Sequence, residues 1–181
     1  GNIYRAQGDY EKSMQCYKRS LKIQSRLDDN RRMRVALNNI GINLSINGEY
    51  SDALRYFTKS MEIYQELGDK WDMNWVLSKI GYAYFELEEY KKAIDYFNKS
   101  IDLTKKLGLE DTLEQTLFLS LSYRYLDKKY NVDNIRNLLS VRDDIGYEIN
   151  FYLFVLLNEN IYLEKAYNGI QEIAKYLEPN K

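Results

Sequence analysis

Apolar residues fall three and four apart along most of the chain, and the same string of apolar and polar positions returns every 40 residues. Its clearest copy has Met33, Ala36, Leu37, Ile40 and Leu44, then Tyr50, Ala53, Leu54, Phe57, Met61, Tyr64 and Leu67. The next has Met73, Val76, Leu77, Ile80, Tyr84 and Leu87, then Tyr90, Ala93, Ile94, Phe97, Ile101 and Leu103. That spacing lays one stripe along one face of a helix. Asn47-Gly48 supplies a helix stop, and Gly68-Asp69 closes one helix and caps the next. Helices of about 17 residues joined by such short links must pack antiparallel. An earlier copy predicts a helix over about 10–27, with Met14, Tyr17, Leu21 and Ile23 apolar and Asp28-Asp29-Asn30 as cap and reversal. A fourth copy opens on a capping pair, Asp111 with Glu114, and keeps Leu113, Leu117, Leu121 and Tyr125. Its second helix, about 132–141, has Asp133 and Asn137 where earlier copies have Ala and an aromatic. Two more helices follow at about 147–157 and 161–177, stopped by Glu178-Pro179. The last carries Leu163, Ala166, Tyr167, Ile170, Ile173, Ala174 and Leu177, a face expected to cover the end of the array.

Self-similarity at this period marks a solenoid, in which each unit leaves an apolar face for its neighbour to cover. The expected organisation is an array over 1–143, its first repeat truncated and its fourth degenerate, closed by a helical pair over 144–181. Gly1 matches Gly41 and Gly81, so the chain begins in mid-repeat and is expected to be a piece of a longer protein. A single Pro, at Pro179, makes the fold all-α. The net charge of -1 provides no basic field for nucleic acid. No apolar run approaches the roughly 20 residues that span a bilayer, and no signal pattern opens the chain, so a cytoplasmic protein without membrane contact is expected. His is absent, which removes the commonest general base and neutral metal ligand. The lone Cys16 sits in an apolar stretch and reads as packing. No catalytic residue, metal site or cofactor is expected.

The pattern Leu37-x2-Ile40-Gly41-x2-Leu44, then Gly48-x-Tyr50-x2-Ala53-x3-Phe57, resembles the tetratricopeptide repeat, and Leu77 to Phe97 repeats it. The resemblance covers the chain to about Ser140 and implies a right-handed α–α superhelix. Two departures stand out: the period is 40 rather than 34, and Ser20, Ser60, Ser100 and Ser140 occupy the family's third small position. The longer unit resembles Pins/LGN-type arrays, bacterial peptide-pheromone receptor arrays (Rap-like and NprR-like) and arrays fused to kinases or cyclases. These relatives imply a protein or peptide partner.

In such arrays the first helix of each pair lines the concave face. The candidate groove is therefore Val35, Asn38, Asn39, Ile42, Ser45 and Ile46 on the second repeat. It continues with Trp75, Ser78, Lys79, Tyr82, Phe85 and Glu86 on the third, and Gln115, Phe118, Ser122 and Tyr125 on the fourth. The alternative buries these side chains against neighbouring helices. By resemblance, Asn2, Asn39 and Lys79 match three polar positions with which chaperone-binding members grip a terminal carboxylate, while Trp75 stands where the family has a further basic residue. Asn contacts along an extended peptide backbone, as in the pheromone-receptor relatives, are favoured over that clamp. Tyr10, Tyr50, Tyr90 and Tyr130 recur in register and read as seam fillers; the acid pairs Asp28-Asp29, Glu88-Glu89 and Asp143-Asp144 read as solvated turns. The function expected is a non-catalytic interaction scaffold. Its alternatives are a sensor segment of a larger signalling protein or transcription factor, and a homo-oligomer joined through the N-terminal repeat edge.

Overall fold

The computed structural model describes residues 1–109, 112–142 and 145–177, with ten helices and no strand among them. In chain order these are α1 (Asn2–Ala6), α2 (Tyr10–Arg26), α3 (Asn30–Ile46), α4 (Tyr50–Leu67), α5 (Lys70–Glu86) and α6 (Tyr90–Lys106), then α7 (Leu113–Tyr125), α8 (Val132–Leu139), α9 (Tyr147–Leu157) and α10 (Asn160–Leu177). They form two compact units, Gly1–Glu110 and Asp111–Lys181. The expected acid pair Asp143-Asp144, the stop at Glu178-Pro179 and Asp111 lie outside the described residues. Of the expected capping pair, Glu114 is described, and the N-cap of α7 is Thr112, whose side chain makes no capping hydrogen bond.

In the first unit three helix starts carry side-chain caps that the sequence supplies. Asp9, Asp29 and Asp69 accept from the backbone N–H of Lys12, Arg32 and Asp72, so one otherwise orphaned donor is satisfied at the start of α2, α3 and α5. Gly68 ends α4 in the left-handed conformation at φ 68°. The paired helices are antiparallel: the Ser60 hydroxyl, late in α4, donates to the carbonyl of Arg34, early in α3, at 2.9 Å. Ser100 of α6 repeats the contact on the Asn74 carbonyl of α5 at 3.3 Å. Gly41 and Gly81 let the rings pack close, since an added Cβ would stand 2.6 Å from Phe57 and 2.8 Å from Phe97. Both rings, with Ile40, Ala53, Val76, Ile80 and Ala93, are buried.

Polar groups also join consecutive pairs, as Asn43 of α3 does by donating to the Ser13 hydroxyl of α2 at 3.0 Å. The Arg34 guanidinium lies 4.3 Å from the Tyr64 ring centroid and reaches Asp69, at the start of α5, at 2.6 Å. It holds the Asp69 carboxyl below the usual carboxylate range. Burial pushes the Tyr64 hydroxyl up to about 12.

The second unit packs α7 against both α8 and α9, and α9 against α10. Leu117, Leu121, Ile135, Leu153 and Leu156 fill it. Arg124 of α7 donates to the Val155 and Leu156 carbonyls at 2.7 and 2.6 Å, satisfying the end of α9. The stripe on α10 departs from expectation: Ala166 is buried, while Leu163, Tyr167, Ile170 and Ile173 are 41–61% exposed. Ile23 of α2, expected in the apolar stripe, is likewise 45% exposed.

Candidate functional site

Helices α3 and α5 carry the same stripe at residue steps of four, three and four: Val35, Asn39, Ile42 and Ile46 on one, Trp75, Lys79, Tyr82 and Glu86 on the other. Val35, Ile46 and Trp75 are exposed, and the remaining five are half-buried. These side chains are held by neighbours. The Lys79 ammonium lies 5.4 Å from the Trp75 ring centroid, a cation–π contact. Tyr82 meets Tyr50 of α4 edge to face at 6.2 Å. The Tyr50 hydroxyl is pushed up by burial first and then by the Glu86 carboxylate, so it stays a neutral donor across the physiological range.

Asn2 and Asn39 are brought together by a residue that the repeat pattern does not single out. Arg5 donates to the Asn39 amide oxygen at 3.1 Å and to that of Asn2 at 3.5 Å. Tyr17 also donates to the Asn2 oxygen, and the Asn39 amide nitrogen donates to the Val35 carbonyl at 3.0 Å. Both ends of Asn39 are thus occupied within the protein. Asn38 keeps a buried amide oxygen with no partner. Arg5 escapes sequence reasoning because its counterparts, Ser45 and Phe85, share no chemistry with it.

Four groove positions are corrected by burial. Ser78 and Phe85 are 4% and 7% exposed, with the Phe85 ring packed edge to face on Tyr90 at 5.7 Å. Phe118 and Ser122 of α7 are also buried: Phe118 packs on Tyr152 of α9 at 4.8 Å, and Ser122 donates to the Phe118 carbonyl at 2.7 Å. The neighbouring helix consumes that face. Gln115 is half-buried and Tyr125 exposed. Among the described residues no helix is long and apolar enough to cross a membrane.

The tetratricopeptide repeat family profile matches residues 1–66 and 32–106, together more than half of the chain. The chain is a tetratricopeptide repeat protein. No curated protein matches it in sequence. Among solved structures, this repeat protein is similar to the apo form of RapI, with a TM-score of 0.78 and 22% identity over 94% of this chain and 50% of that one. It thus spans half the length of RapI. It is also similar to the nearly identical repeats of a kinesin light chain of Podosopora anserina, TM-score 0.65 and 11% identity, over 99% of this chain and 93% of that one. A signal transduction ATPase with a tetratricopeptide repeat sensor, from Pyrococcus horikoshii, matches with TM-score 0.63 and 14% identity, over 93% of this chain and 28% of that one. At these identities the likeness shows the fold. Repeats of this kind commonly mediate protein–protein interaction through extended concave surfaces, and are generally non-catalytic scaffolds.

Proposed function

We propose that the exposed faces of α3 and α5 form a non-catalytic groove that holds a peptide segment of a protein partner. The observation that carries this reading is the run Trp75, Lys79, Tyr82, Glu86: two aromatics alternate with two opposite charges on one helix face, each aromatic already braced by a neighbour. Pre-braced aromatics contribute contact area at little entropic cost, and the charges set the register of what lies across them. Of the expected groove residues, Asn2, Val35, Asn38, Asn39, Ile42, Trp75, Lys79 and Tyr82 remain in this proposal. The cytoplasmic setting, the division into an array over 1–143 and a closing pair over 144–181, and the absence of nucleic-acid contact belong to the same reading.

A selection from a random peptide library on the immobilised chain supplies the test. Trp75→Ala and Tyr82→Ala should each weaken the selected peptides at least tenfold in calorimetry without altering the helical circular dichroism. Undiminished affinity in both variants sinks the groove. The second reading, a sensor segment of a larger signalling protein, draws on the likeness to the ATPase whose own array is a sensor. The sequence of the full gene separates the two.

A further inference from the structure

The seam between α2 and α4 holds a cleft of about 260 Å³, and the neighbouring copies of the repeat show what its place ordinarily contains. In the third copy Tyr84 of α5 stacks on Tyr96 of α6, ring centroids 5.5 Å apart, with the Lys92 ammonium 5.1 Å from the first ring and that of Lys99 4.8 Å from the second. The first copy has the same tyrosine and lysine, with Lys12 5.7 Å from the Tyr4 ring. Of these three copies only the second departs: Leu44 stands for the tyrosine and Asp52 for the lysine. Tyr56, in register with Tyr96, is half-buried, and no other ring or cation is stacked on it among the described residues.

The lining says what completes the seam. Ile40 and Leu44 of α3 give an apolar floor beside Tyr56. The charged groups are Lys18 of α2 and Glu49, Asp52, Arg55 and Lys59 of α4. Arg55 pairs with Asp52 at 3.3 Å, and Glu49 accepts from the Asn47 amide at 3.4 Å. Lys18 and Lys59 have no ion-pair or hydrogen-bond partner among the described residues. Along α4, Glu49 lies seven residues before Tyr56, roughly 10 Å of helix axis, whereas Lys59 lies three after it, roughly 5 Å. Lys18 is in register with Thr58 and so stands level with Lys59. A ring laid on Tyr56 therefore has two ammonium groups as its nearest uncompensated charges. Thr58 and Asn98 are exposed as Lys18 is, so this face of the helix is open in every copy.

We propose that the cleft is a docking site for an aromatic side chain of a protein partner, a tyrosine or phenylalanine with an acidic residue beside it in sequence. The ring takes the place on Tyr56 that Tyr84 takes on Tyr96, over Ile40 and Leu44, and the carboxylate lies between Lys18 and Lys59. The cleft is smaller than the roughly 300–1,000 Å³ of a small-molecule pocket, and a protein side chain fills its place in the next copy, so the occupant is a side chain. The site goes beyond the groove proposed on α3 and α5, since it shares no residue with Val35, Asn39, Ile42 and Ile46 and uses α2 and α4 instead.

The probe is a blocked peptide, Gly-Glu-Tyr-Glu-Gly with a fluorinated tyrosine ring, whose fluorine resonance is followed as the 181-residue chain is added. A saturable shift is expected. It should vanish in a chain carrying Leu44→Tyr with Asp52→Lys, which rebuilds the ring and lysine of the neighbouring copies and should keep the parent circular dichroism. Lys18→Glu with Lys59→Glu should weaken binding at least tenfold; both side chains are exposed, so this charge reversal decides independently of how the filled variant folds. Exchanging the two glutamates of the probe for glutamine should weaken it as much. Trp75→Ala should leave the probe unaffected while it weakens groove peptides, so failure of one site is distinguishable from failure of the other. Absence of a saturable shift overturns the proposal. So does binding that survives the filled cleft, that ignores the charge reversal, or that is lost with Trp75→Ala. Free N-acetyltyrosine binding as tightly as the peptide would make a small molecule the occupant and likewise overturn it.

Discussion

The two units solve the same problem of joining helices by different means. In the first, one contact set is copied from pair to pair: Gly41 beneath Phe57 and Gly81 beneath Phe97, Ser60 on the Arg34 carbonyl and Ser100 on that of Asn74. In the second, the glycine position is Leu121, the ring position is Asn137, and Ser140 donates locally to the Asn137 carbonyl. Volume has moved from the ring to the helix that faced it. The place of the repeated serine contact is taken by Arg124, which holds the end of α9 across two helices. A copied contact is cheap to specify but tolerates no change at its tightest atom; a bespoke contact tolerates change around it but rests on one side chain.

The largest effect should come from filling one of the copied close contacts. Ala is the better helix former by about 1 kcal/mol, yet a Cβ at Gly81 would press on the buried Phe97 ring from 2.8 Å. Gly81→Ala is expected to cost about 2–3 kcal/mol in urea unfolding. Phe97→Leu in the same chain should recover part of that loss, a coupling that a purely local backbone effect would not show.

Arg124→Met tests the bespoke side of the comparison. Two carbonyls at the end of α9 lose a charged donor, at a cost of about 2 kcal/mol. Hydrogen exchange should speed up in α9 and α10 while α3 to α6 keep their protection. Equal loosening of α3 to α6 would mean that the contact supports the whole chain rather than its own unit.

The joint between pairs in the first unit is weaker still. Arg34→Met should cost about 1 kcal/mol near neutral pH, because Asp69 loses its partner while remaining partly in water. The sign follows from the direction of the shift. A depressed carboxylate contributes stability above its unfolded pKa and loses it as pH falls through the lower, folded value. The gap between parent and variant, read from thermal melts, should therefore close on acidification below about pH 4. At the other extreme, the Tyr64 hydroxyl, held up to about 12 mainly by burial, favours the fold below pH 10 and gives that up as pH rises toward 12.

Periodicity made the first unit legible down to single residues. Gly41 and Gly81, the caps at Asp29 and Asp69, and the helix bounds of α4 and α5 all follow from spacing and turn chemistry. What spacing could not carry was any contact between elements that do not repeat. Ser122 looks open because its counterparts Ile42 and Tyr82 are only half-buried, and Phe118, the counterpart of Asn38 and Ser78, is covered by Tyr152 of α9, which has no place in the period. Arg5 and Arg124 escape it for the same reason: each is a long cation whose counterparts, Ser45 and Phe85 for one and Leu44 and Tyr84 for the other, share no chemistry with it. Ile23 marks the opposite limit, an apolar residue in register with Ile63 and Leu103 that is 45% exposed where they are buried.

The smallest expected effect concerns the turns, where the copying is imperfect. Gly8 and Gly48 end the first helix of their pairs in the left-handed region, at φ 77° and 78°, with open space where a Cβ would stand. The third copy places Glu88 there at φ 59°. A non-glycine residue in that region is strained by about 1–2 kcal/mol, and glycine relieves it while adding freedom to the unfolded chain. Glu88→Gly should therefore stabilise the first unit by a few tenths to about 1 kcal/mol in urea unfolding, net of that entropy. Gly48→Ala should move stability the other way by a similar amount, since neither site offers a new contact that could offset the strain. If both substitutions shifted the midpoint in the same direction, the turns could not be equivalent copies, and backbone conformation would cease to explain why glycine recurs at that place in the repeat.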